Sequence, residues 1–306
     1  MSTRSFVPPW LVLAVGVVAV STASLFIRYA QVEAPSPVIA AYRLTLASLV
    51  LFPWFWRHHA SWRNFAPNTW AWTGVAGLLL AAHFLLWIAS LELTTVASSV
   101  VLVTTTPLWV ALASAMLLKE PLTRPLLGGL MLAFSGGLLM TWGDMAAQPV
   151  LPHGPDKVWG LPASLVGDAL ALGGAWAAAG YLMVGRHLRE RTPFPVYLFL
   201  VYATAALFAW AFVGLRGLPW RGFSPETYLW LFLLGLVPQL IGHSAFNWAV
   251  RHLPTTNVAT HLLGEPVGSA LLAWIFLGEV PTWVSLVGAV LILTGLVRIA
   301  RETQLD

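Results

Sequence analysis

The 306-residue sequence contains no cysteine, which excludes disulfides, thiolate metal ligands and a cysteine nucleophile. Charge is also scarce. Asp, Glu, Lys and Arg together make up 9% of the chain, against about 25% in soluble domains. Motifs of phosphate and hydrolytic chemistry are missing as well. No G-x-x-x-x-G-K-[ST] loop is present, so this chain does not hydrolyse ATP, and there is neither an H-E-x-x-H zinc helix nor a Gly-x-Ser-x-Gly nucleophile turn. The run Leu165-Val-Gly167-Asp168 lacks the first glycine of a Gly-x-Gly-Asp protease motif. His58 and His59 have no acidic neighbour and read as an interfacial pair. These absences argue against an enzyme and leave no metal or cofactor to expect.

What remains is apolar. Hydrophobic residues are 58% of the chain and the mean hydropathy is +0.77. A spanning helix needs roughly 20 mostly apolar residues. Ten such runs are legible, over 10–29, 37–55, 70–91, 96–118, 125–142, 162–184, 195–215, 228–249, 256–276 and 282–299. The first resembles a signal peptide only in its position. Its apolar run continues through Phe26 and Ile27, longer than a signal h-region, so it reads as a retained span. The seventeen tryptophans suit interfacial belts, although several lie deep within spans.

Basic residues set the orientation. With both termini inside, eleven of the sixteen Lys and Arg fall on cytoplasmic segments, four fall outside and Arg43 lies within a span. That is a positive-inside bias, and it accounts for the basic pI near 9.8 without nucleic acid. The expected location is therefore the plasma (inner) membrane, multi-pass, with cytoplasmic N- and C-termini.

The chain also repeats itself. Pro107 and Glu120 are separated as Pro266 and Glu279 are, and each pair follows a Thr-Thr (Thr94-Thr95, Thr255-Thr256) and a tryptophan (Trp87, Trp248). Gly129 and Gly136 follow Glu120 as Gly288 and Gly295 follow Glu279. Five spans per half is an odd number, so the halves must be inverted relative to each other, a common transporter plan. The expected fold is an all-α integral membrane protein of ten transmembrane helices, arranged as two inverted five-helix repeats. The boundary falls in a Gly- and Pro-rich loop over 143–161, giving repeats over 1–148 and 149–306. Small-residue stripes, Gly129/Ala133/Gly137 and Gly167/Ala171/Ala175/Ala179, read as helix-packing seams, and Gly264 and Gly268 as a place for close helix approach.

Ionisable groups inside hydrocarbon are costly and read as functional. Glu265 stands first among them. It lies four residues from His261, on the same face of a helix, and can be protonated, paired with Arg43 or a histidine, or exchanging protons. Arg43 has two readings: a fixed cation that pairs with a substrate carboxylate, or a snorkelling, helix-bridging arginine. His83 and Trp87 share a face of span three. Gln239, His243 and Asn247 recur at i, i+4 and i+8 beside Trp248, a polar stripe that suits water or substrate. Trp87, Trp176, Tyr181 and Trp248 are expected walls for an organic solute. Asp168, early in span six, has two readings, a functional carboxylate or a structural hydrogen-bonding group near the outer interface, and Glu120 and Glu279 read as gates, caps or turn anchors. Pro107 and Pro266 read as kinks, hinged or static.

The pattern Pro107…Leu-Lys-Glu120 in one half and Glu265-Pro-Val…Leu-Gly-Glu279 in the other resembles the duplicated EamA-type module of the drug/metabolite transporter superfamily. Gly167-Asp168-Ala-Leu-Ala-Leu and the Arg43 that follows Pro37 are also similar to it. The resemblance covers nearly the whole chain. It implies a ten-span, inverted-repeat secondary carrier of small organic solutes, often an exporter of amino acids. It further implies a cavity lined by spans 1, 3, 4, 6, 8 and 9, to which His83, Trp87, Trp176, His243, Asn247, His261 and Glu265 would contribute. The sequence departs from that pattern at Thr106, where the first half lacks a counterpart of Glu265, and at Ser21-Thr22-Ala23-Ser24, in place of the family's Trp-Gly.

The function expected is thus a secondary-active transporter, an exporter, of small organic metabolites such as amino acids, working by alternating access, with protons as a coupling ion. A passive channel or facilitator is the alternative, and an intramembrane enzyme a weaker one. One chain already holds both halves, so a monomer suffices and a homodimer stays open.

Overall fold

The computed structural model describes residues 8–57, 67–117, 124–147, 155–189, 193–249 and 264–302. Helices α1 (Pro9–Ala30), α2 (Ser36–Arg57) and α3 (Pro67–Leu93) come first. They are followed by α4 (Val96–Val103), α5 (Thr106–Leu117) and α6 (Arg124–Ala147). The second half holds α7 (Ala163–Arg189), α8 (Phe194–Leu215), α9 (Pro225–Leu234), α10 (His243–Ala249), α11 (Gly264–Leu277) and α12 (Trp283–Glu302). A π-helical stretch, Gly235–Gly242, joins α9 to α10.

Among the described residues, six helices are long and apolar enough to cross a membrane: Trp10–Ala30, Ser36–Arg57, Pro67–Leu93, Ala163–Gly185, Pro195–Leu215 and Pro225–Phe246. Shorter apolar helices cover Val96–Val110, Gly264–Leu277 and Trp283–Arg298. With no water in a bilayer core, helices are how a chain satisfies its backbone there. Large apolar side chains such as Leu49, Phe134, Leu207 and Ile275 are exposed on the outside of the bundle, a surface suited to lipid. The chain is an integral membrane protein.

The sequence pattern is departed from in three places. The expected continuous span 96–118 is broken between Val103 and Thr106. Pro107 has no N–H for the Val103 carbonyl, and the Thr106 hydroxyl takes that carbonyl instead at 2.8 Å. Thr104 and Thr105 likewise donate to Val101 and Leu102 at 2.9 and 2.6 Å. The fifth span runs on to Ala147, five residues past its expected end at 142, carrying Asp144 into the bundle. The connection between the halves contains a small antiparallel hairpin, β1 (Lys157–Val158) with β2 (Leu161–Pro162), turned by Trp159 and Gly160 at positive φ. The end of the bundle near this hairpin is called the hairpin end below.

Small residues fix the helix pairs. A Cβ on Gly136 would lie 2.5 Å from the Gly288 carbonyl, and one on Gly288 would lie 2.5 Å from the Gly136 carbonyl. At this α6–α12 seam the two backbones touch. In the first stripe the close contacts fall to Gly136 and to the Gly129 carbonyl under Gly295, whereas Gly137 meets only Leu102 at an ordinary 3.5 Å. The second stripe holds as read. Ala171, Ala175 and Ala179 are buried, and a Cβ on Gly167 would meet Thr94 at 2.8 Å. Gly264 and Gly268 sit against Val17 and Ser21 of α1. The largest core cluster joins α1, α2, α3, α8 and α9 through residues such as Ile27, Ile39, Leu44, Ile88, Val201 and Leu231.

Candidate functional site

Arg43 lies near the middle of α2 and is 1% exposed. Its Nε–H donates to the side-chain oxygen of Gln239 across 2.6 Å, and Nη2 approaches His243 Nε2 at 3.5 Å. Gln239 lies in the π-helical stretch and is itself buried. Tyr202 of α8 lies beside its side chain. Pro238 inside this stretch cannot donate in an α-helical ladder, and such π segments occur often at functional sites. Gln239 and His243, four residues apart, meet one guanidinium.

Aromatic rings form the other wall. The Arg43 Cζ sits 4.3 Å from the Phe84 ring centre and 5.6 Å from that of Trp87, both cation–π distances. His83 stacks on Trp87 at 6.0 Å, and its Nδ1–H donates to the Gly174 carbonyl of α7 at 3.0 Å. A Cβ on Gly174 would meet the His83 carbonyl and Trp87 at an ordinary 3.4 Å. Glu265, half-buried in the first turn of α11, is within electrostatic reach of the guanidinium but not in ion-pair contact with it. Five of the expected residues, Arg43, His83, Trp87, Gln239 and His243, thus form one centre drawn from both halves, with Glu265 at its electrostatic margin.

A second polar cluster lies at the hairpin end. Arg28, in the last turn of α1, pairs with Glu279 at 2.7 Å and donates to the Thr94 carbonyl at 3.0 Å. The other Glu279 oxygen accepts from the Val96 backbone N–H at 2.7 Å, so this carboxylate caps the α4 N-terminus. Thr95 is the N-cap residue and accepts from Ser98 N–H. Asp168 accepts from Thr94 at 2.8 Å and Thr141 at 2.6 Å. Asp144 accepts from Ser285 at 2.8 Å and Thr95 at 3.1 Å. A cavity of about 500 Å3 lined by Arg28, Gln31, Glu33, Glu92 and Glu279 opens beside this cluster. A second, apolar hollow of about 510 Å3 lies between α4, α11 and α12. Neither is lined by Arg43.

The remaining expected residues are scattered. Trp176 is 55% exposed and packs edge-on against Trp109 at 5.3 Å, apart from the Arg43 contacts. Pro107 opens α5 at the Thr104–Thr105 break, and Pro266 is buried near the start of the described part of α11. Glu120 and His261 lie outside the described residues. Asn247 and Trp248 fall on α10, and their side chains lie outside the description. Sequence reasoning missed Tyr202, Phe84, Arg28 and Asp144. Tyr202 carried a signal as a polar group within the apolar run 195–215, and Asp144 was hidden by ending span five at 142.

A buried polar centre enclosed by apolar helices is the arrangement of a membrane transport protein. The chain belongs to the EamA-like transporter family, whose pattern matches residues 8–142 and again 165–301. It is 23% identical over 290 residues to an uncharacterized transporter of Archaeoglobus fulgidus, covering 93% of this chain and 94% of that protein. A probable terminal-alkyne amino-acid exporter of Streptantibioticus cattleyicolor is 28% identical over 186 residues, 58% of this chain and 61% of that one. A crystal structure with a TM-score of 0.63 and 20% identity covers 97% of this chain and 98% of its own, a likeness of fold.

Proposed function

We propose that the protein is a secondary carrier that exports small organic metabolites, amino acids among them, by alternating access of two inverted five-helix halves. The observation that carries this reading is the Arg43 centre, where a guanidinium from the first half is held by Gln239 and His243 of the second. Any rocking of one half against the other acts on that centre. Inversion is supported by the packing. Helix α1 packs on α9, the π stretch, α10 and α11, as α7 packs on α3, α4 and α5. Helix α2 packs on α8, and α6 on α12. Exchanging the halves, taken as 1–148 and 149–306, maps these pairs onto one another. The name of the Streptantibioticus relative, a probable amino-acid exporter, supports the substrate class.

With ten spans and both termini cytoplasmic in the plasma membrane, the hairpin end faces outward. The Arg28–Glu279 pair and the Asp144–Asp168 cluster then close the outer side, and substrate is taken up from the cytoplasm. Glu265 serves as the ammonium partner or proton-exchanging group, and His261 modulates it. A single chain supplies both halves and works as a monomer. The test is flux of a radiolabelled amino-acid panel in proteoliposomes, with and without a proton gradient. Saturable, competable flux of one class is expected. Non-saturating conduction without counterflow would mean a channel instead.

A further inference from the structure

Two buried donors in the Arg43 centre lack partners. Arg43 Nη1 and Trp87 Nε1 are both shielded from solvent and make no hydrogen bond among the described residues. Their residues are 1% and 4% exposed, and the guanidinium carbon lies 5.6 Å from the Trp87 ring centre. Nearly all buried donors in native proteins are paired, and those left over call for an explanation. An arginine is always charged, yet Gln239, His243 and the rings of Phe84 and Trp87 supply no anion. Glu265 is the acid within electrostatic reach, and it is not in ion-pair contact.

We infer that Arg43 Nη1 and Trp87 Nε1 form a fork that binds the carboxylate of the transported solute. The fork is held in place before the solute arrives. The Nε edge of the guanidinium is fixed by Gln239. Phe84 lies under its face at 4.3 Å, and the Trp87 ring is stacked by His83. The Nε side is thus used for positioning, and the Nη1 side is left as an edge without a hydrogen-bond partner among the described residues. A planar carboxylate matches such an edge, accepts from the indole as well, and supplies the missing negative charge. The acceptors for a solute ammonium are nearby: Glu265, and His83 Nε2 when Nδ1 carries the proton given to Gly174. The carboxylate is the required group and the ammonium a secondary one. A snorkelling arginine would send Nη1 to water or headgroups, whereas here it ends buried among helices.

This inference rests on the carrier reading, and the experiment separates the two. Proteoliposomes holding the full chain are tested by exchange flux and competition with the proteinogenic amino acids, their decarboxylated amines, their methyl esters and the corresponding deaminated acids. Acids, with or without the amino group, should compete at least about tenfold better than amines or esters, the effect of hydrogen bonds to a charged group. W87F keeps the ring and removes the N–H. It should raise KM for the acids roughly threefold to tenfold, leaving the ranking of amines and esters unaltered. R43K keeps the charge without the fork and should do the same more strongly. Flux of amines or esters equal to that of acids, or an unchanged KM in W87F, overturns the fork and leaves the carrier standing. No saturable flux of any compound overturns both.

Discussion

Arg43 and Gln239 meet across 2.6 Å, the guanidinium Nε–H donating to the amide oxygen, although 196 positions separate them in the chain. The bond ties α2 to the π-helical stretch between α9 and α10, and it fixes one edge of a buried cation. Its companion contact to His243 is longer, at 3.5 Å, so the amide does most of the holding.

Replacing Gln239 by Leu removes the acceptor and leaves the Arg43 Nε–H without it. An unpaired buried donor costs about 1–3 kcal/mol, more when charged. Q239L should therefore melt at lower temperature than the wild type and transport poorly. Thermal unfolding in detergent, followed by tryptophan fluorescence, checks the first part. An unchanged melting temperature would mean that the Arg43–Gln239 bond contributes nothing.

The absence of cysteine makes the Arg28–Glu279 pair directly testable. Ser98 is fully buried on α4, two residues beyond the Val96 N–H that Glu279 caps, and S98C is a near-isosteric thiol probe. Alone it should react slowly with a membrane-impermeant maleimide. With E279Q added, the ion pair to Arg28 is lost and labelling should speed up roughly tenfold, a shift of about 1.4 kcal/mol toward the open form. Equal rates would show that the pair does not close this end.

At the α6–α12 seam, Gly288→Ala places a methyl group against the Gly136 carbonyl at 2.5 Å. Backbone cannot yield as a flexible side chain does, so overpacking of about 1–3 kcal/mol is expected. Gly137→Ala, whose new Cβ meets only Leu102 at 3.5 Å, serves as the control and should be near neutral. Comparing the two melting temperatures isolates the seam from helix propensity.

Glu33, in the turn between α1 and α2, accepts from the Ser224 N–H and the Thr227 hydroxyl at the start of α9. The Ser224 backbone bond chiefly, with Thr227, holds its carboxyl below the usual value of 4.5. A lowered folded value means stabilisation that is complete above 4.5 and is lost as the pH falls through the folded value. The difference in melting temperature between wild type and E33Q should thus persist at neutral pH and vanish in acid. A difference that instead grows below pH 4.5 would contradict this linkage.

Much of this architecture was legible in the sequence because hydropathy and repeat spacing survive burial in lipid. The runs that became α1, α2, α3, α7, α8 and α9 were found by length and apolarity, and Arg43, His83, Trp87, Gln239 and His243 by being polar where hydrocarbon was expected. The break at Thr104–Thr105 was not legible, since side-chain hydroxyls substitute there for the donor that Pro107 lacks. Nor was the π winding around Pro238. Trp176 looked like a wall by its position in span six, yet it packs on Trp109 instead, because which face a tryptophan takes is decided by its neighbours. Asp144 was hidden by a span end placed a few residues early.

The most direct test of coupled transport across the Arg43 centre compares wild type with Glu265→Gln in proteoliposomes, measuring flux of radiolabelled amino acids as the proton gradient is varied. Wild type should show saturable flux that rises with the gradient. The variant, inserted and folded to the same extent, should lose at least about tenfold of that rate, the size typical of removing one proton-transfer or charge-pairing group. Full, gradient-dependent transport by E265Q would contradict the assignment of this glutamate as the coupling group.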